Sequence, residues 1–305
     1  MEYIHKPVML EECINGLNIK KNGIYVDGTL GLGGHSKHIL SFLDNGKLIG
    51  IDKDKNAIFY ANEKLSKFNN KILIHGEHNN IINILKEKNI DKVDGILLDL
   101  GVSSYQLDDE SRGFSYMKEY KLDMRMNQDD KLTAYDVVNK YSKEKLIKIF
   151  FEYGEEKHSK IIAEKIIEYR KKKCIDTTLE LANIIKDTIT SYNGHPAKKV
   201  FQAIRIEVNG ELINLKNTLV DCVNCLNKNG RLCVITFHSL EDKIVKHTFN
   251  ELSVKCTCPK NFPVCICNNI PKGHVVNKSA IVASEDELKN NSRSKSAKLR
   301  IFEKG

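Results

Sequence analysis

Residues 27–36 read DGTLGLGGHS, a glycine-rich turn behind a short apolar run and ahead of a helix-like stretch. Glycines there let backbone approach a ligand closely, and a helix start offers N–H groups with no partner inside the helix. The dinucleotide fingerprint is not met, because after Gly31 and Gly33 the third glycine of G-x-G-x-x-G would fall at Ser36. Carboxylates recur at the ends of apolar runs: Asp27, Asp52 in IGIDKD and Asp99 in LLDLGVSS. About twenty residues past a glycine loop, a carboxylate such as Asp52 can accept both ribose hydroxyls of a nucleoside.

Asp99 suits a different task. It can accept a hydrogen bond from an amine that is gaining positive charge, or it can hold an amine of a cofactor. The four residues from 99 are Asp-Leu-Gly-Val, without the prolines of the D/N/S-P-P-aromatic motif of DNA amino-methyltransferases. His238, in TFHSLED, can contact a base, act on a proton or anchor its turn. Cys256, Cys258, Cys265 and Cys267 place four thiols within twelve residues. Their C-x-C spacing leaves three readings open: a tetrahedral zinc site, free reduced thiols, or redox pairing.

Positioning these groups requires strands that end where the acids lie. Residues 23–31, 47–52, 71–76 and 93–101 are short apolar runs separated by amphipathic stretches, such as Ile58, Ala61, Leu65 and Phe68. That alternation predicts a parallel sheet covered by helices, with ligands at the carboxyl ends of its strands. From about Ser104 to Leu226 the strand rhythm stops. Residues 143–153 and 158–173 read as helices, and Thr177 caps another, with Glu180 in its first turn. Phe201, Ile204, Val208, Leu212, Leu215 and Leu219 predict one long helix that tolerates Gly210. Strands resume at 230–237 and 298–303, and 285–296 reads as a polar surface segment. The expected fold is α/β, a Rossmann-like core of residues 1–104 and 227–305, with a helical, substrate-recognising insertion at 105–226.

Apolar residues make up 41% of the 305, enough for a folded core and too many for a disordered chain. The first ten residues lack the pattern of a secretory leader, and no stretch approaches the roughly 20 apolar residues of a membrane span. A soluble, cytoplasmic protein without a membrane partner is expected. The net charge of +8 fits either a lysine-rich surface or a polyanionic partner. Cys13, Cys174, Cys222, Cys225 and Cys233 are expected to be small core hydrophobes in a reducing compartment.

The chain resembles the ribosomal RNA small-subunit methyltransferase H family, also called MraW, from end to end. The resemblance rests on HKPVMLEE at 5–12, DGTLGLGGHS at 27–36, DLGVSSYQLDDESRGFSY at 99–116 and LDMRMN at 122–127. It continues through YGEEKHSKIIAEKI at 153–166, HPAKKVFQAIRIEVNGEL at 195–212, NGRLCVITFHSLEDKIVK at 229–246 and SRSKSAKLR at 292–300. It implies S-adenosylmethionine-dependent N4-methylation of a cytosine in the decoding region of 16S rRNA, within the small ribosomal subunit. Carried over position by position, the cofactor shell is Gly33, Gly34, His35, Asp52, His78, Asp99 and Gln106. Lys121 stands where the family usually has Pro, Asn127 replaces the last Asp of LDMRMD, Tyr116 replaces Phe, and His78 stands in for an aromatic near the cofactor. Asp123, Arg125 and Arg205 are candidates for shaping the target pocket. The thiol segment occurs in only some members, so catalysis is not expected to need it, and a homodimer is left open. Two competing readings are a nicotinamide oxidoreductase, opposed by the missing glycine, and a non-catalytic RNA-binding factor.

Overall fold

A computed structural model of the chain describes residues 6–189, 194–256, 258, 266–267 and 269–305. The chain divides into two compact units: Met1–Gly101 with Leu212–Gly305, and Val102–Glu211.

The first unit is built on strands β1 (Ile24–Asp27), β2 (Lys47–Asp52), β3 (Lys71–His75), β4 (Val93–Asp99), β5 (Leu226–Thr236), β6 (Gly273–Val275), β7 (Ile281–Val282) and β8 (Lys298–Lys304). They form one sheet in the order β3-β2-β1-β4-β5-β8-β6, with β7 also paired to β8. The first five are parallel, while β8 runs antiparallel to β5, β6 and β7. Strand residues alternate between two cores, as a pleat of period two requires. Ile96, Leu98, Leu232 and Val234 enter one core, while Tyr25, Leu97, Cys233 and Ile235 enter the other. Helices α1 (Leu10–Leu17), α2 (Gly34–Ser41) and α3 (Lys55–Lys64) contribute to the second core. Helix α4 (Ile81–Glu87) serves the first.

The second unit holds α5 (Ser104–Asp108), α6 (Ala134–Lys140), α7 (Lys143–Glu152), α8 (Ser159–Arg170), α9 (Thr178–Thr188) and α10 (Ala197–Asn209) around its own core, which includes Phe150, Ile162, Ile185 and Ile204. Thr177 caps α9 in a reciprocal box with Glu180, satisfying N–H groups that the helix itself cannot. The remaining helices, α11 (Leu215–Cys225), α12 (Ser239–Ser253) and α13 (Glu285–Asn290), return to the sheet unit.

Three expectations are corrected. The single long helix is two, because Gly210 adopts φ 60° and closes α10 in the left-handed conformation. The helical unit therefore ends at Glu211, not residue 226. Leu215, Leu219, Cys222 and Val223 of α11 belong to a core of the sheet instead. Helical periodicity cannot reveal which core a helix joins. Residues 285–296 lie mostly at the surface, as expected, although the Glu287 carboxylate is buried and accepts the Met9 N–H at 2.8 Å. Of the five scattered cysteines, Cys13, Cys222, Cys225 and Cys233 are buried, but Cys174 is exposed. Burial pushes the Cys233 thiol up to about 12, so it stays an inert thiol. Among the described residues no helix is long and apolar enough to cross a membrane.

Candidate active site

The strand order reverses between β1 and β4: the chain first builds outward through β2 and β3, then returns to the other side of β1. Connections leaving adjacent strand ends in opposite directions open a crevice at that point. Asp27 ends β1 and Asp99 ends β4, so the reversal is flanked by two carboxylates.

The glycine turn is tied into this edge from several directions. Thr29 Oγ1 accepts the Asp99 N–H at 2.6 Å, which locks the turn to the end of β4. Gly28 lies so close to β4 that a Cβ there would sit 2.5 Å from Leu98 Cδ2 and 3.2 Å from the His78 Cβ. Ser36 Oγ donates to Asp27 Oδ2 at 2.6 Å, and the Thr29 N–H reaches Asp27 Oδ1 at 3.3 Å. Burial outweighs these bonds and pushes Asp27 up to about 6.

Asp52 takes one N–H on each oxygen, from Gly31 at 2.7 Å and Asp54 at 2.9 Å. Each carboxylate oxygen keeps a second acceptor site. Burial raises its pKa despite those two bonds. The Asp52 carbonyl accepts the Gly76 N–H at 2.8 Å, which carries the edge on to the end of β3. His78 follows there, half-buried. Burial first, and then the charge of Lys53, lowers it to about 4, so its ring is neutral at physiological pH.

His35 is buried, not a solvent-facing helix start. Its Nε2 lies 2.9 Å from the Val8 carbonyl oxygen. Because a carbonyl only accepts, Nε2 carries the hydrogen. Nδ1 then faces Asp99, 3.8 Å from Oδ2. The other oxygen, Asp99 Oδ1, is buried with no hydrogen-bond partner. Burial, then Asp27 and Glu241, push the Asp99 pKa well above the usual carboxylate range. An orphaned buried acceptor at a strand end suits a ligand that brings an N–H or a positive charge.

Gly33, Gly34, His35, Asp52, His78 and Asp99 therefore share one edge of the sheet unit. This edge fits a nucleoside with a cationic group, because it offers free acceptor sites at Asp52, an uncharged ring at His78 and the orphaned oxygen of Asp99. His238 is also in this unit, but its ring caps α12. Nδ1 accepts the Glu241 N–H at 3.4 Å, and the Glu241 carboxylate reaches back to the Phe237 N–H at 2.9 Å. Nε2 sits 3.1 Å from Glu241 Oε1, although it is not aligned for a hydrogen bond. Of the roles open to His238, anchoring the turn is the one this geometry displays.

Gln106, Asp123, Arg125 and Arg205 lie in the helical unit. Gln106 is buried and forms a capping box with Ser103 at α5. Asp123 holds Arg125 through two bonds, of 2.9 and 2.7 Å, and Arg205 grips Glu211 through two of 2.9 Å. Arg112, which sequence reasoning passed over, is fully buried and donates to the Arg125 and Met126 carbonyls at 3.0 and 2.8 Å. Asn209 bridges the same turn, donating to the Met124 carbonyl and accepting the Met126 N–H. Thr29 was likewise missed; its position inside the DGT of the glycine turn was the available signal. Cys256, Cys258 and Cys267 lie in the sheet unit, and Cys265 lies outside the described residues.

A sequence model of the MraW methylase family matches residues 2–305. The chain belongs to the MraW methylase family. Among its relatives, a ribosomal RNA small subunit methyltransferase H from Clostridium botulinum (strain Kyoto / Type A2) is 56% identical over 308 residues, covering 100% of both chains. The protein of the same name from the Loch Maree / Type A3 strain matches at the same identity and coverage. A solved structure of an rRNA methylase from Streptococcus thermophilus aligns with TM-score 0.42 at 12% identity, over 99% of this chain and 98% of that one, too weak a likeness to carry a functional argument. MraW methylase membership makes methyl transfer, rather than hydride transfer, the reaction of this family.

Proposed function

We propose that this chain transfers a methyl group from S-adenosylmethionine to the exocyclic N4 of a cytosine in the decoding region of 16S ribosomal RNA. Family membership supports methyl transfer, and the names of the 56%-identical relatives support the small-subunit RNA. The observation that carries the choice of an amine is Asp99 Oδ1, a buried oxygen without a partner at the strand reversal. When bound, S-adenosylmethionine supplies a methyl group already activated on a sulfonium.

The protein's work is then positioning. Asp52 accepts the ribose hydroxyls on the sites left over from Gly31 and Asp54, and neutral His78 stacks against the adenine. Gly33 and Gly34 let the start of α2 come close, and His35, fixed by the Val8 carbonyl, lines the approach to Asp99. The lone pair of a cytosine amine is delocalised into the ring and must turn towards the methyl group. An acceptor on one N–H favours that turn and stabilises the charge that develops, and in this reading Asp99 is that acceptor. The base must leave its stack to reach such an edge. RNA shape and single-stranded loops then contribute specificity.

The test uses methyl-tritiated cofactor with small subunits from cells lacking the protein, followed by mass mapping of the nucleosides of 16S RNA. Label in one N4-methylcytidine is expected. Label at another base, or at a cytosine outside the decoding region, overturns the substrate. RNA binding without any transfer of label leaves only the assembly-factor reading.

A further inference from the structure

The methyl-transfer reading makes no use of the thiols that follow α12. Cys256, Cys258 and Cys267 have their sulfurs within 4.8 Å of one another. Cys256 Sγ and Cys267 Sγ are 3.9 Å apart, far beyond a disulfide bond of about 2.05 Å. Two thiolates on one tetrahedral zinc, at about 2.3 Å each, lie roughly 3.8 Å apart. The observed separation therefore matches one edge of a coordination tetrahedron. The Ile266 N–H points at Cys258 Sγ from 3.3 Å, an arrangement that stabilises a thiolate and orients it as a ligand.

Two hydrogen bonds hold together the stretches of chain on either side of the thiols. Beyond the end of α12, the Asn269 side chain donates to the Val254 carbonyl at 2.6 Å. The Lys272 N–H donates to the Leu252 carbonyl at 2.8 Å, just before β6. These bonds close the neck of the segment from both sides. Residues 254–272 carry three lysines and neither Asp nor Glu. Among the described residues the cluster consists of thiols alone, with no carboxylate to favour a hard cation. Soft sulfur ligands without oxygen donors select zinc over magnesium or calcium.

We propose that Cys256, Cys258 and Cys267 bind a thiophilic divalent cation, Zn2+, which fastens the segment joining α12 to β6. The fourth tetrahedral position goes to one further donor. The metal is structural, because the three sulfurs belong to the clamp itself and none is used in methyl transfer.

The experiment uses the full-length chain purified under reducing conditions, loaded with zinc alone and freed of excess by gel filtration. One zinc per chain by elemental analysis is expected, with loss of the metal in C256S and in C267S. Cys174→Ser, which changes an exposed thiol elsewhere, should keep it. A second measurement on the unaltered protein guards against misfolded variants: alkylation of Cys256, Cys258 and Cys267, read by peptide mass, should slow more than about tenfold with zinc, while Cys174 is unaffected. Substoichiometric zinc in the loaded wild-type chain overturns the proposal. So does equal alkylation with and without zinc, or a Cys256–Cys267 disulfide in protein purified anaerobically.

Discussion

Replacing Asp99 by Asn keeps the size and shape of the side chain but removes its charge, and it turns one of its two acceptors into a donor. Asp99 Oδ1 has no partner within the protein, so the substitution breaks no side-chain hydrogen bond at that atom and isolates what it offers a ligand. A hydrogen bond to a charged group contributes about 1.5–3 kcal/mol. At about 1.4 kcal/mol per factor of ten, that is roughly 10- to 150-fold in rate if the bond forms only in the transition state. An amide that turns its N–H towards the target amine adds repulsion, so kcat should fall on the order of 100-fold. The dissociation constant for S-adenosylmethionine, measured by calorimetry, should change far less. The wild-type pH profile carries a second signature. Burial, Asp27 and Glu241 raise the Asp99 pKa, and only the ionised form accepts on both oxygens. Turnover should rise with pH through a value above the usual carboxylate range, and Asp99→Asn should lose that limb. Full turnover at saturating cofactor together with much weaker cofactor binding would refute the reasoning and give Asp99 to the cofactor.

Asp52→Ala removes the acceptor of the Gly31 and Asp54 N–H groups as well as the proposed ribose contact, so cofactor affinity should fall about 10- to 100-fold, and unchanged calorimetric binding contradicts the assignment. His238→Ala should cost about 1 kcal/mol in denaturant unfolding through the lost cap of α12, with turnover retained; unchanged stability with collapsed turnover would reverse that reading. Asp27 is held protonated in the folded chain up to about pH 6, against 3.8 ordinarily, so its contribution is complete below the ordinary value and lost as pH rises through 6. Asp27→Asn, which cannot ionise, should gain stability relative to wild type by about 3 kcal/mol between roughly pH 4 and pH 7, and a flat difference in urea unfolding argues against it. Methyl transfer should be faster on assembled small subunits than on a short oligonucleotide, since the helical unit of Val102–Glu211 is far larger than one base requires; equal rates count against this.

The order of elements and their types were legible in the chain because they depend on local period. Runs such as 47–52 and 93–101 alternate with amphipathic stretches, and strands β2 and β4 lie there. The acids at the strand ends were legible for the same reason, since a ligand edge follows from parallel strands. Family motifs added Gly33, Gly34, His35 and His78, which spacing alone would not have singled out. The sequence did not show how the side chains would be shared out. His35 could face solvent or the interior until its ring met the Val8 carbonyl, 27 residues away in the chain. His238 had three roles open, and the capping contact with Glu241 depends on the turn that β5 and α12 make together.

By itself, then, the sequence determined an α/β core with a helical insertion, the glycine turn, and the carboxylates that end its strands, because periodicity and motif are properties of neighbouring residues. Only the tertiary structure decided that α11 belongs to the sheet and that Glu287 is buried against Met9, 278 residues away. Only the tertiary structure left Asp99 Oδ1 buried without a partner and gathered three thiols within 4.8 Å. Burial, and the pKa shifts it imposes on Asp27, His78 and Asp99, depend on which distant segments exclude water from a group. No local pattern of residue types carries that information.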